Sequence, residues 1–274
     1  MVKAADSHAL FRTCPRAPSV LALHGFTGGG ADFAPLADAF PQLAWRAPDL
    51  PGHAPKPRRR GSPRDDSSLV AAIRYLDFRT RPKNREILLG YSLGARLALR
   101  FALARPRRFS ALVLIAASPG LSDPAARAAR READEKLAQE ILAGGVPPFL
   151  EQWRARPLIA TQKKIPAAWR AEMEARRQRL RAEGLAASLR EFGQAVLDPV
   201  DELLPWLRLP VLLVAGAEDP VYVAHAHAMQ KQMPAAEVLI VPGAGHLAHL
   251  ENLPAFAAGF GSFLSRLPDA ARRS

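Results

Sequence analysis

The 274-residue chain is 49% hydrophobic and 23% charged. It can therefore bury a full core, as one large α/β domain or two small domains, and intrinsic disorder is excluded as its main state. Lysine and arginine outnumber aspartate and glutamate by 38 to 26, a net charge of +12 that favours anionic partners without identifying one. The single cysteine, Cys14, excludes an internal disulfide and a thiolate metal cluster, so a cytoplasmic location is expected.

The N-terminal segment lacks the apolar stretch of a signal peptide, because charged residues recur through its first 16 positions. The longest apolar runs, residues 111–117 and 209–217, fall short of the ~20 residues that span a bilayer. We therefore expect a soluble protein that is not exported and has no membrane partner.

Short apolar runs alternate with helical stretches, which predicts an α/β fold with a mostly parallel central sheet flanked by helices. The six runs are residues 20–24, 44–50, 87–91, 111–118, 211–216 and 238–241, of which 44–50 is the weakest. Each is followed by residues typical of turns. The loops at these strand ends are expected to carry the chemistry.

Residues 51–64 form a biased segment that is rich in proline and contains the basic run Arg58, Arg59 and Arg60. A basic run can bind nucleic acid, but this one lacks interleaved aromatic residues. An exposed loop is the better interpretation, and no nucleic-acid partner is expected.

Residues 90–94, GYSLG, fit the pattern G-x-S-x-G, and they follow a predicted strand and precede a predicted helix. In that context the pattern indicates a nucleophile elbow, a tight turn that exposes the Ser92 hydroxyl at the start of the helix. The glycines on either side remove side chains that would collide in the turn. The alternative is an ordinary strand-to-helix turn with a buried serine.

Residues 119–200 differ from the rest of the chain, because Ala, Arg, Glu, Gln and Leu dominate and apolar positions recur at helical spacing. Strand-like runs resume only at Val211. The chain therefore divides into a core of residues 1–118 and 201–274 and a helical lid of residues 119–200.

A serine hydroxyl needs a histidine and an orienting carboxylate, in the chain order Ser, Asp or Glu, His. His246 follows the predicted strand 238–241, and Asp219 follows the predicted strand 211–216. Glu218 is the alternative carboxylate. Asp219 is favoured because it lies at the turn before Pro220, where a short side chain can reach an imidazole.

The remaining histidines give no sign of a metal site. His225 and His227 are two residues apart on a predicted helix and diverge, and we interpret them and His249 as surface residues. His53 has no evident partner that would make it a base. We therefore expect no metal.

An oxyanion hole needs two backbone amides, one after the nucleophile and one after an early strand. Leu93 and Phe26 occupy those positions, and the glycine-rich residues 23–30 lack the Gly-Lys-Ser/Thr ending of a phosphate-binding loop. Nucleotide binding is disfavoured, and no cofactor is expected.

Arg96 lies four residues after Ser92 and therefore on the same face of the predicted helix. Its planar, permanently charged guanidinium matches a carboxylate, which favours an acidic substrate. The alternative is an arginine paired with a surface acid.

From residue 21 to residue 264 these motifs resemble the α/β-hydrolase superfamily, with elbow, lid and triad in the expected order. Within it the chain resembles the 2-succinyl-6-hydroxy-2,4-cyclohexadiene-1-carboxylate synthases, lyases of menaquinone biosynthesis that expel pyruvate. The resemblance depends on residues 23–28, 49–53, 90–96 and 118–121, on Arg127, Arg130 and Arg131, and on lid residues 149–153, 156–160, 177–180 and 184–189.

The resemblance implies a triad of Ser92, Asp219 and His246, with Phe26 and Leu93 as oxyanion donors. It implies a second set of residues that bind substrate: Tyr91, Arg96, Arg130, Trp153 and Arg179. Ala54 and Ala95 depart from the family pattern, and the stretch after Arg179 is shortened, which leaves Arg177 as the alternative to Arg179.

The function implied is elimination of pyruvate from 2-succinyl-5-enolpyruvyl-6-hydroxy-3-cyclohexene-1-carboxylate, with the triad as base and a polycarboxylate small molecule as the partner. One alternative is a serine hydrolase of a carboxylate-bearing ester or a carbon–carbon bond. Another is a non-catalytic protein that binds an acidic ligand, and a third is polyanion binding through Arg58–Arg60. The oligomeric state is left open, and a monomer is compatible with the sequence.

Overall fold

The computed structural model describes residues 10–12, 17–54 and 85–268. They form a seven-stranded sheet in the order β1-β3-β2-β4-β5-β6-β7, in which every pairing is parallel except that of β1 with β3. The strands are β1 (Leu10–Arg12), β2 (Ser19–Leu23), β3 (Ala44–Ala47), β4 (Glu86–Tyr91), β5 (Phe109–Ile115), β6 (Val211–Gly216) and β7 (Ala236–Val241). The predicted α/β fold is confirmed.

All six strands predicted from apolar runs are present, and their ends differ from the predicted ones by a few residues. The prediction for residues 44–50 was too long, because β3 ends at Ala47 and the next residue, Pro48, has no amide hydrogen for the sheet. The edge strand β1 was not predicted. It is only three residues long and has no apolar run to mark it.

Helices cover both faces of the sheet. They are α1 (Ala34–Ala39), α2 (Leu93–Ala104), α3 (Pro124–Gly144), α4 (Val146–Ala155), α5 (Pro157–Ala160), α6 (Ala167–Arg177), α7 (Ala182–Phe192), α8 (Pro220–Gln230), α9 (Ala248–Glu251) and α10 (Leu253–Arg266). Phe101 of α2 belongs to the core on one face, and Phe256 and Phe260 of α10 belong to the core on the other. Each is fully buried, which stabilises the fold by about 1.5–3 kcal/mol per side chain.

The segment between β5 and β6 contains helices α3 to α7 and no strand, and all of its residues are described. Its helices share a separate apolar cluster that includes Leu137, Ile141, Leu150 and Leu185. The segment therefore has a small core of its own above the C-terminal ends of the strands.

None of the described helices is both long and apolar enough to cross a membrane. Arg58, Arg59 and Arg60 lie outside the described residues, so the predicted exposed loop there stays a prediction.

Candidate active site

Ser92 lies in the turn between β4 and α2, with a backbone φ of 52° and ψ of −109°. A positive φ is uncommon for a residue with a Cβ, and such backbone strain is concentrated at functional sites. A Cβ on Gly94 would collide with the carbonyl oxygens of Leu23 and His24. Only glycine at this position allows α2 to begin so close to β2, and this leaves the Ser92 side chain partly exposed.

Ser92, His246 and Asp219 form a continuous hydrogen-bonded chain. The distance from Ser92 Oγ to His246 Nε2 is 3.0 Å, and His246 Nδ1 lies 2.7 Å from Asp219 Oδ2. The three residues follow β4, β7 and β6, whose C-terminal ends meet at one edge of the parallel sheet. With Nδ1–H donating to the carboxylate, Nε2 can accept the serine proton, which is the arrangement of an activated nucleophile or base.

The carboxylate partner of His246 is Asp219, and the alternative, Glu218, points elsewhere. Asp219 is buried and caps the N-terminus of α8, where its Oδ1 accepts the amide hydrogen of Tyr222. Glu218 instead forms an ion pair with Lys164 at the surface. The structure thus places Asp219, the residue at the turn before Pro220, next to His246.

Phe26 and Leu93 both line the cavity in front of Ser92. Leu93 is the first residue of α2, so its amide has no acceptor within the helix. Within the described parts of the chain, no group accepts a hydrogen bond from the Phe26 amide. Two backbone donors are thus available beside the serine.

The triad opens into a cavity of about 660 Å³ beneath helices α3 to α7. Four arginines, Arg96, Arg130, Arg156 and Arg177, line it together with Tyr91 and Trp153. A cavity of this size accommodates a small molecule, and four arginine cations favour a ligand with several negative charges.

Arg179, one of the predicted substrate-binding residues, does not line the cavity, whereas its alternative Arg177 does. Arg177, the last residue of α6, is buried and faces the cavity, whereas Arg179 lies two residues beyond the helix and is exposed. Arg177 donates a hydrogen bond of 2.9 Å to Gln162 Oε1, and its Nε has no partner in the described structure. The guanidinium is thus held in place with one donor unused.

Arg96 is 6% exposed, and burial lowers the pKa of its guanidinium. No described group forms a hydrogen bond with that guanidinium, and the buried Nε is unpaired. A buried cation without a hydrogen-bonded partner is costly, and an anionic ligand in the cavity would offset that cost. Surface pairing, the alternative interpretation, does not describe this residue.

Arg130 is anchored by its neighbours. Its Nε donates to Asp134 Oδ1 at 2.8 Å and its Nη1 donates to Gln194 Oε1 at 2.9 Å. The side chain is 42% exposed, so the pair with Asp134 contributes little to stability and mainly fixes direction.

Aromatic side chains form the apolar part of the cavity. The ring centroid of Trp153 lies 5.4 Å from that of Phe26, and the guanidinium of Arg156 stacks over Trp153 at 4.7 Å. Tyr91 is buried, and burial, reinforced by the carboxylate of Glu251, raises the pKa of its phenol well above the usual range. The phenol therefore stays protonated and can donate a hydrogen bond.

The interpretation of His249 as a surface residue was wrong. It is 1% exposed and stacks on Phe33 with ring centroids 5.5 Å apart. Burial lowers its pKa to about 3, so it is neutral at physiological pH. His225 is half-buried and His227 is exposed on α8, and His53 is buried between His24 and Phe26.

Over the described ranges, no group of three or more His, Cys, Asp or Glu side chains is arranged to hold a metal ion.

Sequence reasoning missed two polar residues at the site. Gln162 orients Arg177, and it lies in a 3-10 turn, Thr161–Lys164, whose sequence carries no catalytic motif. Glu251 contacts the backbone on both sides of His246. In the sequence, its position five residues after the histidine was the feature that could have indicated this contact.

The comparison with known protein families agrees with this architecture. The model of the alpha/beta hydrolase fold family matches residues 18–253. The chain therefore belongs to the alpha/beta hydrolase fold family.

Individual proteins of similar sequence or structure have more specific names than the family. A protein of Bacillus subtilis (strain 168), provisionally named a 2-succinyl-6-hydroxy-2,4-cyclohexadiene-1-carboxylate synthase, is 33% identical over 253 residues, which are 91% of each chain. The synthase of that name from Klebsiella pneumoniae (strain ATCC 700721 / MGH 78578) is 29% identical over 92% of this chain and 95% of its own. The solved structure of MenH from S. aureus superimposes with a TM-score of 0.84 at 25% identity, over 94% of this chain and 98% of that one.

Proposed function

We propose that the protein is a lyase that eliminates pyruvate from 2-succinyl-5-enolpyruvyl-6-hydroxy-3-cyclohexene-1-carboxylate to give 2-succinyl-6-hydroxy-2,4-cyclohexadiene-1-carboxylate, a step of menaquinone biosynthesis. The observation that carries the proposal is the placement of Arg96, Arg130 and Arg177 around one cavity in front of the Ser92–His246–Asp219 chain. The names of the relatives support the same reaction.

The triad acts as the base in this proposal. His246, oriented by Asp219, draws the proton from Ser92, and the serine oxygen removes a carbon-bound proton from the substrate ring. The electron pair of that bond forms a ring double bond at position 2, the existing double bond shifts from position 3 to position 4, and the carbon–oxygen bond to the enolpyruvyl group breaks. Pyruvate leaves as its enolate, which takes up a proton. No bond forms between Ser92 and the substrate.

Charge that builds on the succinyl carbonyl oxygen during proton removal from the adjacent ring carbon is met by the amides of Phe26 and Leu93. A donor of this type contributes about 2.7–4 kcal/mol to transition-state stabilisation. Both lie beside Ser92 on backbone that is fixed by the fold, so they need no rearrangement during the reaction.

Three of the four arginines at the cavity suit the three carboxylates of the substrate, and the fourth, Arg156, stacks over Trp153. Arg96 and Arg177 each have an unpaired buried Nε, and their unused donors offset the desolvation of an entering polyanion. Arg130 is held in direction by Asp134 and Gln194. The arginines position the substrate, and the protonated phenol of Tyr91 and the ring of Trp153 complete the contact surface.

Residues 119–200 act as the lid in this proposal, since helices α3 to α7 carry Arg130, Trp153 and Arg177 to the cavity. Closure would exclude water while the carbanion-like transition state forms. We also propose a cytoplasmic location, which the single cysteine supports.

A serine hydrolase of a carboxylate-bearing ester or carbon–carbon bond is the second candidate, because the exposed Ser92 at the elbow is placed equally well for attack on a carbonyl. Intact-protein mass spectrometry during turnover separates the two. The lyase gives no covalent adduct while product accumulates, and Ser92→Ala, Asp219→Asn and His246→Ala each lower turnover by at least ~10³-fold with an unchanged melting temperature. An acyl adduct on Ser92 formed from the natural substrate would establish the hydrolase.

A further inference from the structure

One turn of the segment above the cavity contacts both loops that carry His246 and Asp219. We call this 3-10 turn, Thr161–Lys164, the docking turn. It lies between α5 and α6, and its contacts with the core involve a buried carboxylate that the proposed mechanism does not use.

The buried carboxylate belongs to Glu251, at the end of the short helix α9. Its Oε2 accepts the amide hydrogen of Gly245 at 2.7 Å, and its Oε1 accepts that of Leu247 at 3.1 Å. These two amides flank His246 in sequence. Glu251 therefore fixes the backbone on both sides of the histidine, and with it the direction of the imidazole.

The docking turn supplies the third hydrogen bond to this carboxylate. Thr161 Oγ1 donates to Glu251 Oε1 at 3.0 Å. No lysine, arginine or histidine in the described ranges forms an ion pair with Glu251, so neutral donors alone satisfy its buried carboxylate. Loss of one of three such donors leaves the carboxylate partly unsatisfied and frees it to shift.

Packing makes the contact between the docking turn and the histidine loop close. A Cβ on Gly245 would lie 2.7 Å from Thr161 Cβ, a separation that real Cβ atoms do not show. The loop before His246 therefore tolerates Thr161 only because residue 245 is glycine. At the other end of the turn, Lys164 Nζ donates to the carbonyl of Gly243 at 3.0 Å and pairs with Glu218, the neighbour of Asp219.

We propose that Glu251 is a positioning residue for His246 and that Thr161 completes this positioning only when the docking turn is seated on the core. Contact of the segment above the cavity with the core, through the docking turn, thus determines how His246 is aligned between Asp219 and Ser92. The inference rests on the proposed function, because it takes His246 as the general base of the triad.

The test compares Thr161→Val with Thr161→Ser in the full-length protein. Valine keeps the shape of threonine and removes the donor, whereas serine keeps the donor and removes a methyl group. Because a misplacement of about 1 Å can cost about 100-fold in rate, we expect Thr161→Val to lower kcat by about 10-fold with KM for the substrate unchanged. Thr161→Ser should stay within about 2-fold of wild type.

Two readouts do not depend on the natural substrate. The first is the rate at which a fluorophosphonate probe labels Ser92, followed by intact mass, which reports the Ser92–His246 contact. The second is the low-field proton resonance of the His246 Nδ1–H bonded to Asp219. Thr161→Val should label about 10-fold more slowly and broaden this resonance, and Glu251→Gln should do so more strongly, whereas Thr161→Ser should preserve both.

Equal labelling rates and equally sharp resonances in Thr161→Val and wild type would overturn the proposal. Equal losses in the valine and serine variants would also overturn it, since the hydroxyl would then not be responsible. Failure of the proposed function is distinguishable, because in that case wild type would label at Ser92 and respond to the variants while releasing no pyruvate.

Discussion

Two neighbouring buried arginines on α2 should have opposite effects on stability when each is replaced by methionine. The guanidinium of Arg96 forms no hydrogen bond with a described group, whereas that of Arg100 donates to the carbonyls of Arg96, Pro119 and Asp198. Both are at most 6% exposed. The two residues therefore have the same side chain, lie on the same helix and are similarly buried, but their guanidinium groups differ in hydrogen-bond partners.

The magnitudes follow from those partners. Replacement of a buried charge by an apolar side chain of similar volume stabilises proteins by up to ~4 kcal/mol. Because Arg96 faces the cavity on one side, we expect Arg96→Met to stabilise the fold by only about 1 kcal/mol, which corresponds to a rise of about 2–4 °C in Tm. Arg100→Met instead removes three hydrogen bonds to carbonyl oxygens, of which that of Pro119 keeps the amide hydrogen of Val200, and this should destabilise the fold by about 2 kcal/mol.

The assay is urea and thermal denaturation of the ligand-free proteins, combined with steady-state kinetics. Arg96→Met should also lower kcat/KM for the polycarboxylate substrate by about 10- to 100-fold, because a hydrogen bond to a charged group contributes about 1.5–3 kcal/mol. A fall in Tm for Arg96→Met similar to that of Arg100→Met would refute the reasoning. It would show that Arg96 supports the fold and is not a cation reserved for a ligand.

Two further predictions concern other buried residues. Burial lowers the pKa of His249 from 6.5 to about 3, so between these values the unfolded chain takes up a proton that the folded protein refuses, and stability falls with decreasing pH. From pH 7 to pH 5 this group should lower the free energy of unfolding by about 2 kcal/mol. In urea titrations the free energy of unfolding of His249→Phe should fall by about 2 kcal/mol less over this range than that of wild type. Parallel pH dependences of the two proteins would contradict a neutral, buried His249. Arg177→Met should raise KM for the substrate by about 10-fold or more, whereas substitution of the exposed Arg179 by methionine should leave KM unchanged. A larger rise in KM for Arg179→Met than for Arg177→Met in steady-state kinetics would instead make Arg179 the substrate-binding residue.

The sheet could be predicted because parallel strands are buried on both faces, and a strand such as β5, with every residue buried, appears in the sequence as an unbroken apolar run. The exceptions have local causes. Pro48 ended β3 early, and β1 was too short to leave a pattern. Strand ends depend on hydrogen-bonding partners that apolar runs do not reveal.

The triad could be predicted because each member follows a recognisable strand, so the topology brings the residues together before any side chain is considered. The choice between Arg177 and Arg179 could not be made, because it depends on where α6 ends and how it rotates against the cavity. The same limitation explains His249. A four-residue helix is too short for periodicity to distinguish its buried face from its exposed one.

The most direct test of the central claim is pyruvate release, followed continuously when the purified protein meets freshly generated 2-succinyl-5-enolpyruvyl-6-hydroxy-3-cyclohexene-1-carboxylate, with Ser92→Ala as the control. Rapid release is expected from the wild-type protein, at least ~10³-fold faster than from the variant. Release at the uncatalysed rate in both proteins, together with Ser92-dependent hydrolysis of a carboxylate-bearing ester, would contradict this expectation and make the protein a hydrolase.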